Sequence, residues 1–281
     1  MIRVEDLNNQ NTVVIKPTDF PDGTKLIKYN PTYVDGAYRI TWLYDNDAEL
    51  FQLIALVKHL KSKARCRIWL NLPYVPNARM DRVKNSDEVF TLKAFADTIN
   101  WLGFEGVTIC NPHSTVSEAL FDRVDVDFDC VVEDVKRVLD ISLSKIDVLY
   151  FPDSGAQKRY SNILTPFGLP SAYGIKNRDW KTGKILGLDV VTPIDLTGKN
   201  ILIIDDICSR GTTFVKSAEK LKERGAGKIA LYVTHCENTI NDGDVLKNNG
   251  LLDFVYTTNS IFRGTNGLGL ASHKIKIIRK F

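Results

Sequence analysis

Short apolar runs alternate with stretches of helical periodicity along this chain, and that alternation limits the fold more than any other feature. Arg67–Leu72, Val107–Ile109, Asp147–Phe151, Asn200–Ile204 and Lys228–Val233 read as buried strands. Leu50–Lys61, Thr91–Leu102 and Thr213–Arg224 have helical spacing, and Gly103 and Gly225 stand just past the last two, where helices end. Strands alternating with helices predict parallel sheets in an α/β protein. The series occurs twice, once up to about Phe128 and again from about Val131, on either side of the acidic segment Asp122–Asp134. The expectation is two tandem domains, residues 1–130 and 131–281, each a mainly parallel sheet flanked by helices.

A chain of 281 residues can bury one large core or two ordinary ones. Its net charge of +3, without a basic stripe, argues against a nucleic-acid partner. No apolar run approaches the ~20 residues needed to cross a bilayer, and the start MIRVEDLNNQ lacks a secretory pattern. The expectation is a cytoplasmic protein with no membrane partner.

The sharpest local feature is KNILIIDDICSRGTTFVKSAEKLKERGA. A strand ends in two acids, Asp205 and Asp206; a short polar loop, Ile207–Thr212, leads to a helix starting near Thr213. Ligands of open parallel sheets bind at the carboxyl ends of strands. A loop entering a helix N-terminus aims free amides at an anion. Gly211 permits close backbone approach, and Ser209, Thr212 and Thr213 add hydroxyl donors. Two carboxylates beside an anion hole suit vicinal sugar hydroxyls or a magnesium ion. Neither GxxxxGK[ST] nor GxGxxG is present.

The run IIDDICSRGTT resembles the ribose-phosphate loop of the type I phosphoribosyltransferase fold. By that resemblance Asp205 and Asp206 face the ribose 2- and 3-hydroxyls, while Ser209, Arg210, Gly211, Thr212 and Thr213 cradle its 5-phosphate. The N-terminal half narrows the choice. PYVPNARMDR is similar to the ATP-binding segment of ribose-phosphate diphosphokinases (PRPP synthetases), keeping Arg79, Asp81 and Arg82 but with Met80 in place of the usual glutamine. FPDG, with Phe20 and Asp22, resembles the adenine-stacking loop that one subunit lends to another; Thr24 stands where that family has an acid. NPHSTVSEALFD resembles the segment that holds magnesium and ATP phosphates, with His113 kept and Asn111 replacing an aspartate. PDSGAQKR resembles the family's strand-to-helix turn, with Asp153, Gly155, Lys158 and Arg159 matching, and IKNR its catalytic loop, with Lys176 and Arg178. THCEN and TTNSI fall where that family has comparable motifs.

The resemblance implies that the anomeric hydroxyl of ribose 5-phosphate attacks the β-phosphorus of ATP and AMP leaves. It makes Lys176, Arg178 and His113 the catalytic groups. Phe20, Asp22, Arg79, Asp81, Arg82 and His113 form the ATP site, and His113 and Asp153 hold Mg2+. Because Phe20 would stack on adenine across a subunit interface, a homo-oligomer, dimer or higher, is implied. Ser209 replaces the family's third loop acid and Arg210 a threonine. One negative charge fewer and one positive charge more favour a more anionic acceptor. ADP-ribose, used by relatives in NAD-rebuilding pathways, is therefore the alternative acceptor. A plain phosphoribosyltransferase and an inactive binding protein remain further alternatives.

Overall fold

A computed structural model describes all residues except 33–34, 64, 179–184, 248–249 and 265–273; the side chains of 176–178 and 185–187 are likewise outside the description. The α/β fold expected from the alternation is present: mainly parallel sheets flanked by helices. The chain forms two compact units, Met1–Asp127 with Phe281, and Phe128–Lys280.

The first unit begins with β1 (Ile2–Asp6) and β2 (Asn11–Ile15), an antiparallel hairpin, followed by a small ribbon of β3 (Thr18–Asp19) and β4 (Lys25–Leu26). Then come β5 (Ala37–Trp42), α1 (Ala48–Lys63), β6 (Arg67–Leu72), α2 (Thr91–Trp101), β7 (Gly106–Cys110), α3 (Thr115–Leu120) and β8 (Val124–Asp127). The sheet runs β2-β1-β5-β6-β7-β8, with β5 to β8 parallel and in chain order. Helix α2 buries Leu92, Phe95, Ala96 and Ile99, a stripe at helical spacing that meets the sheet's apolar face. Leu92, Phe95 and Ile99 each contribute about 1.5–3 kcal/mol when fully buried. The helix stops because Gly103 takes a φ of +62°, the left-handed conformation that glycine adopts without a Cβ penalty.

The second unit contains α4 (Asp129–Ile141), β9 (Val148–Phe151), α5 (Ser154–Tyr160), β10 (Ser171–Arg178), β11 (Ile185–Val191), β12 (Ile201–Cys208), α6 (Thr212–Glu223), β13 (Ile229–Cys236), α7 (Asp244–Lys247), β14 (Phe254–Thr258) and β15 (Ile275–Arg279). Its sheet has the order β11-β10-β9-β12-β13-β14-β15 and is parallel except for the β10–β11 hairpin. Every residue of β9 and β13 is buried, which explains their continuous apolar runs: a parallel sheet covered on both faces shows no alternation. Among the described residues no helix is long and apolar enough to cross a membrane.

One boundary differs from the sequence expectation in a way that matters. The strand read as Asn200–Ile204 continues to Cys208, because Asp205, Ile207 and Cys208 pair with Val233, His235 and Cys236 of β13. Asp205 and Asp206 are thus strand residues, and the loop shrinks to Ser209–Gly211.

Candidate active site

The second unit has a topological switch point. From β9 the chain crosses through α5 to β10 on one side; from β12, the other neighbour of β9, it crosses through α6 to β13 on the opposite side. Divergent connections leave a crevice at the carboxyl ends of β9 and β12, where open α/β sheets bind ligands. In the first unit the parallel strands β5 to β8 follow one another in order, so its parallel strands make no such crevice.

Three carboxylates belong to that crevice. Asp153 follows β9 and caps α5, its Oδ1 accepting from the Gly155 and Ala156 amides at 3.1 and 3.0 Å. Asp205 and Asp206 sit near the end of β12, where the Asp206 amide donates to Asp205 Oδ1 at 2.9 Å. Burial and the adjoining Asp206 carboxylate push the Asp205 carboxyl well above the usual carboxylate range. Arg159, from α5, lies 3.8 Å from Asp206 Oδ2. The sequence placed Arg159 only as a motif match; its nearness to Asp206 depends on α5 packing beside β12.

Ser209, Arg210 and Gly211 then turn the chain into α6, which begins at Thr212. Gly211 has φ +80°, and a Cβ there would lie 2.0 Å from Val245 Cγ2, so the position demands glycine twice over. Glycine is also the N-cap of α6, without a side-chain cap. Arg210 and Thr212 are exposed, while Ser209 and Thr213 are half-buried. Ser209 Oγ lies 2.9 Å from Thr239 Oγ1, and Thr212 Oγ1 donates to Asp244 Oδ2 at 2.5 Å. Neither partner was apparent in the sequence, because Thr239 and Asp244 arrive from short helical turns after β13. The backbone of Lys176 and Arg178 belongs to β10, in register with β11; their side chains lie outside the described residues.

In the first unit, three loops leave the carboxyl edge after β5, β6 and β7. The loop after β6 holds Arg79, Asp81 and Arg82, with Arg82 Nε 3.3 Å from Asp81 Oδ1. Arg79 and Arg82 are exposed. The loop after β7 holds His113, half-buried. Tyr44 and Tyr74, on the loops after β5 and β6, bring their rings to 6.1 Å, so those two loops are adjacent. Phe20 is 46% exposed at the tip of the β3–β4 ribbon. The turn is closed by Asp22, whose Oδ1 accepts from both the amide and the hydroxyl of Thr24 at 3.0 and 2.7 Å; these bonds hold the Asp22 carboxyl below its ordinary value. Thr24 therefore fixes the turn that presents Phe20.

A doubly flanked parallel sheet with an acid pair and a glycine turn into a helix at its switch point is the arrangement of the phosphoribosyl class of α/β folds. Comparison with known proteins agrees. Residues 184–279 match the Phosphoribosyl synthetase-associated domain. The ribose-phosphate pyrophosphokinase of Sulfolobus acidocaldarius is 26% identical over 280 residues, covering 99% of this chain and 95% of its own. That of Pasteurella multocida is 30% identical over 219 residues, covering 75% of this chain and 67% of its own. The crystal structure of phosphoribosylpyrophosphate synthetase from Mycobacterium smegmatis superposes with a TM-score of 0.72 at 19% identity, covering 95% of this chain and 86% of that one; this likeness concerns the fold. The chain belongs to the ribose-phosphate pyrophosphokinase, or PRPP synthetase, family.

Proposed function

We propose that this chain transfers the β,γ-diphosphate of ATP to the anomeric hydroxyl of ribose 5-phosphate and releases AMP. The observation that carries the reading is the acid pair Asp205–Asp206, two residues ahead of the loop into α6, at the switch point of the second unit. The first-turn amides and the Ser209, Thr212 and Thr213 hydroxyls hold the 5-phosphate. Asp205 and Asp206 accept hydrogen bonds from the 2- and 3-hydroxyls, which orients C1. Two neighbouring acids, one held well above the usual range by burial and its partner, are relieved by hydroxyl donors or by a cation.

The same observation fits magnesium, a hard cation that prefers carboxylate oxygen. Asp153, Asp205 and Asp206 of the second unit would hold it; His113, the other metal residue that the resemblance implies, belongs to the first unit. When bound, it neutralises charge on the transferring phosphates. Arg79, Asp81, Arg82 and His113 bind ATP, and Phe20 and Asp22 receive its adenine from a second copy of the chain. Lys176 and Arg178 meet charge that develops on the transferring group.

ADP-ribose is the second reading, favoured by one observation. The Arg210 side chain is exposed beside the loop, and no ion pair to it occurs among the described residues. A diphosphate ester needs a cation for its second phosphate. Quantifying AMP release from ATP with each acceptor tests both readings. Activity with ribose 5-phosphate alone supports the first, and preference for ADP-ribose supports the second. No AMP with either acceptor sinks the diphosphokinase assignment, and base-dependent release of diphosphate from PRPP would replace it with a phosphoribosyltransferase.

A further inference from the structure

The loop assigned to the acceptor phosphate is gripped along its whole length by another stretch of the chain. Residues 237–247, which follow β13, meet it position by position. The Glu237 amide donates to the Cys208 carbonyl at 2.8 Å. Ser209 Oγ lies 2.9 Å from Thr239 Oγ1. Gly243 packs so closely on the Arg210 backbone that a Cβ there would lie 2.3 Å from the Arg210 carbonyl oxygen. Val245 covers Gly211, and Asp244 Oδ2 accepts the Thr212 hydroxyl at 2.5 Å.

The last contact conflicts with phosphate binding. A threonine hydroxyl has one proton to donate. Donated to Asp244, it is not available to a phosphate oxygen. Asp244 also places a carboxylate one hydroxyl away from the start of α6, where Gly211 offers no side-chain cap. An anion at a helix N-terminus is stabilised whether it is a carboxylate or a phosphate. Both cannot use the same hydroxyl, and a carboxylate left beside a phosphate dianion repels it.

We infer that Asp244 is an internal competitor of the acceptor's phosphate, holding Thr212 by this hydrogen bond and releasing it when the phosphate enters. This rests on reading Ser209–Thr213 as the phosphate loop. Acceptor affinity is then set partly outside the loop, by a residue thirty-two positions further along the chain.

The test is calorimetric titration of the full-length chain with inorganic phosphate, comparing the parent with Asp244→Asn, Asp244→Ser, Thr212→Val and the Thr212→Val/Asp244→Asn double variant. Asparagine keeps the shape and an acceptor oxygen but removes the charge; serine is the second choice if asparagine unfolds the segment. Asp244→Asn should bind phosphate about tenfold more tightly than the parent, the scale of one charged contact. That gain should shrink when Thr212 is valine, which mere bracing of the loop by Asp244 does not predict. Equal affinity of the parent and Asp244→Asn overturns the competitor role while leaving the loop assignment intact. Phosphate binding by neither chain overturns the loop assignment and this inference with it.

Discussion

At the scale of single residues, the site is defined by charges that the fold brings together, and only some are adjacent in sequence. Asp205 and Asp206 were legible at once as neighbours after an apolar strand. Asp244 was not, because it returns to the loop after a whole strand and an irregular turn. Its position also alters the charge argument for the acceptor. Ser209 removes one carboxylate from the loop relative to the family pattern, but Asp244 restores one beside Thr212, so Arg210 rather than a net loss of negative charge carries the case for ADP-ribose. Asp205 gives a testable consequence. Its carboxyl is raised in the folded chain by burial and by Asp206. A group raised on folding stabilises the fold below its unfolded value and loses that contribution as pH rises through the folded one. At neutral pH this acid therefore opposes folding, through a buried charge or through the uptake of a proton. Asp205→Asn should raise the stability of the ligand-free chain at pH 7 by about 0.5–2 kcal/mol, at the expense of activity. The gain should fade as pH drops into the ordinary carboxylate range, where the parent acid is also neutral. Melting curves of both chains at neutral and acidic pH check this: a gain independent of pH would show that charge is not the cause.

At the scale of elements, three helices were read well, α4 was taken in part for an acidic boundary segment, and strand ends were read poorly. Helices announce themselves by apolar spacing and by glycines such as Gly103 and Gly225, both with positive φ. The end of β12 was misplaced because acids normally signal a loop, whereas here pairing with β13 outweighs local preference. The β10–β11 hairpin and β15 lacked long apolar runs, so their pairing was invisible until neighbouring strands supplied partners. Besides its pairing with β14, β15 is tied to α4 by a buried ion pair. Asp134 of α4, fully buried, lies 3.0 Å from Arg279 Nη2 and accepts from Tyr232 Oη at 3.0 Å. Burial still raises the Asp134 carboxyl against the opposing pull of Arg279, so the pair is costly to break. Arg279→Met should destabilise the chain by about 3 kcal/mol, because it takes the nearer cation from a buried carboxylate and leaves it only the longer contact with Arg137 at 3.4 Å. The double variant Asp134→Leu/Arg279→Met should recover most of that loss, since apolar residues can replace a buried pair. Urea unfolding of the single and double variants measures both. Gly211→Ala belongs to the same scale: φ +80° and the Val245 contact make it destabilising by about 1–2 kcal/mol from backbone conformation alone. Acceptor KM should rise more than ATP KM, whereas an equal rise in both would place Gly211 outside the acceptor site.

At the scale of the whole molecule, the doubled strand–helix series told the reader to expect two sheets, but periodicity says nothing about copies of the chain. The case for an assembly rests on one small element. The β3–β4 ribbon is two residues per strand and holds a phenylalanine 46% exposed at a turn fastened by Asp22 and Thr24. An aromatic residue buried in its own core would need no such fastening; one offered to a partner does, because fixing the turn beforehand lowers the entropy lost on binding. If Phe20 completes the adenine site of a neighbouring copy, each active site draws on two chains, and defects in different chains can be separated. Phe20→Ala should then raise KM for ATP, and Lys176→Ala should abolish turnover. Dimers that contain one of each have one site with both defects and one with neither. Random exchange of equal amounts makes half the dimers mixed, so the mixture should regain roughly a quarter of the parent activity. The measurement is AMP release before and after subunit exchange of the two purified variants, at an ATP concentration that leaves Phe20→Ala nearly silent. Recovery requires that Phe20 act in trans. If Phe20 acted within its own chain, every site in every mixed dimer would keep a defect, and exchange would restore nothing.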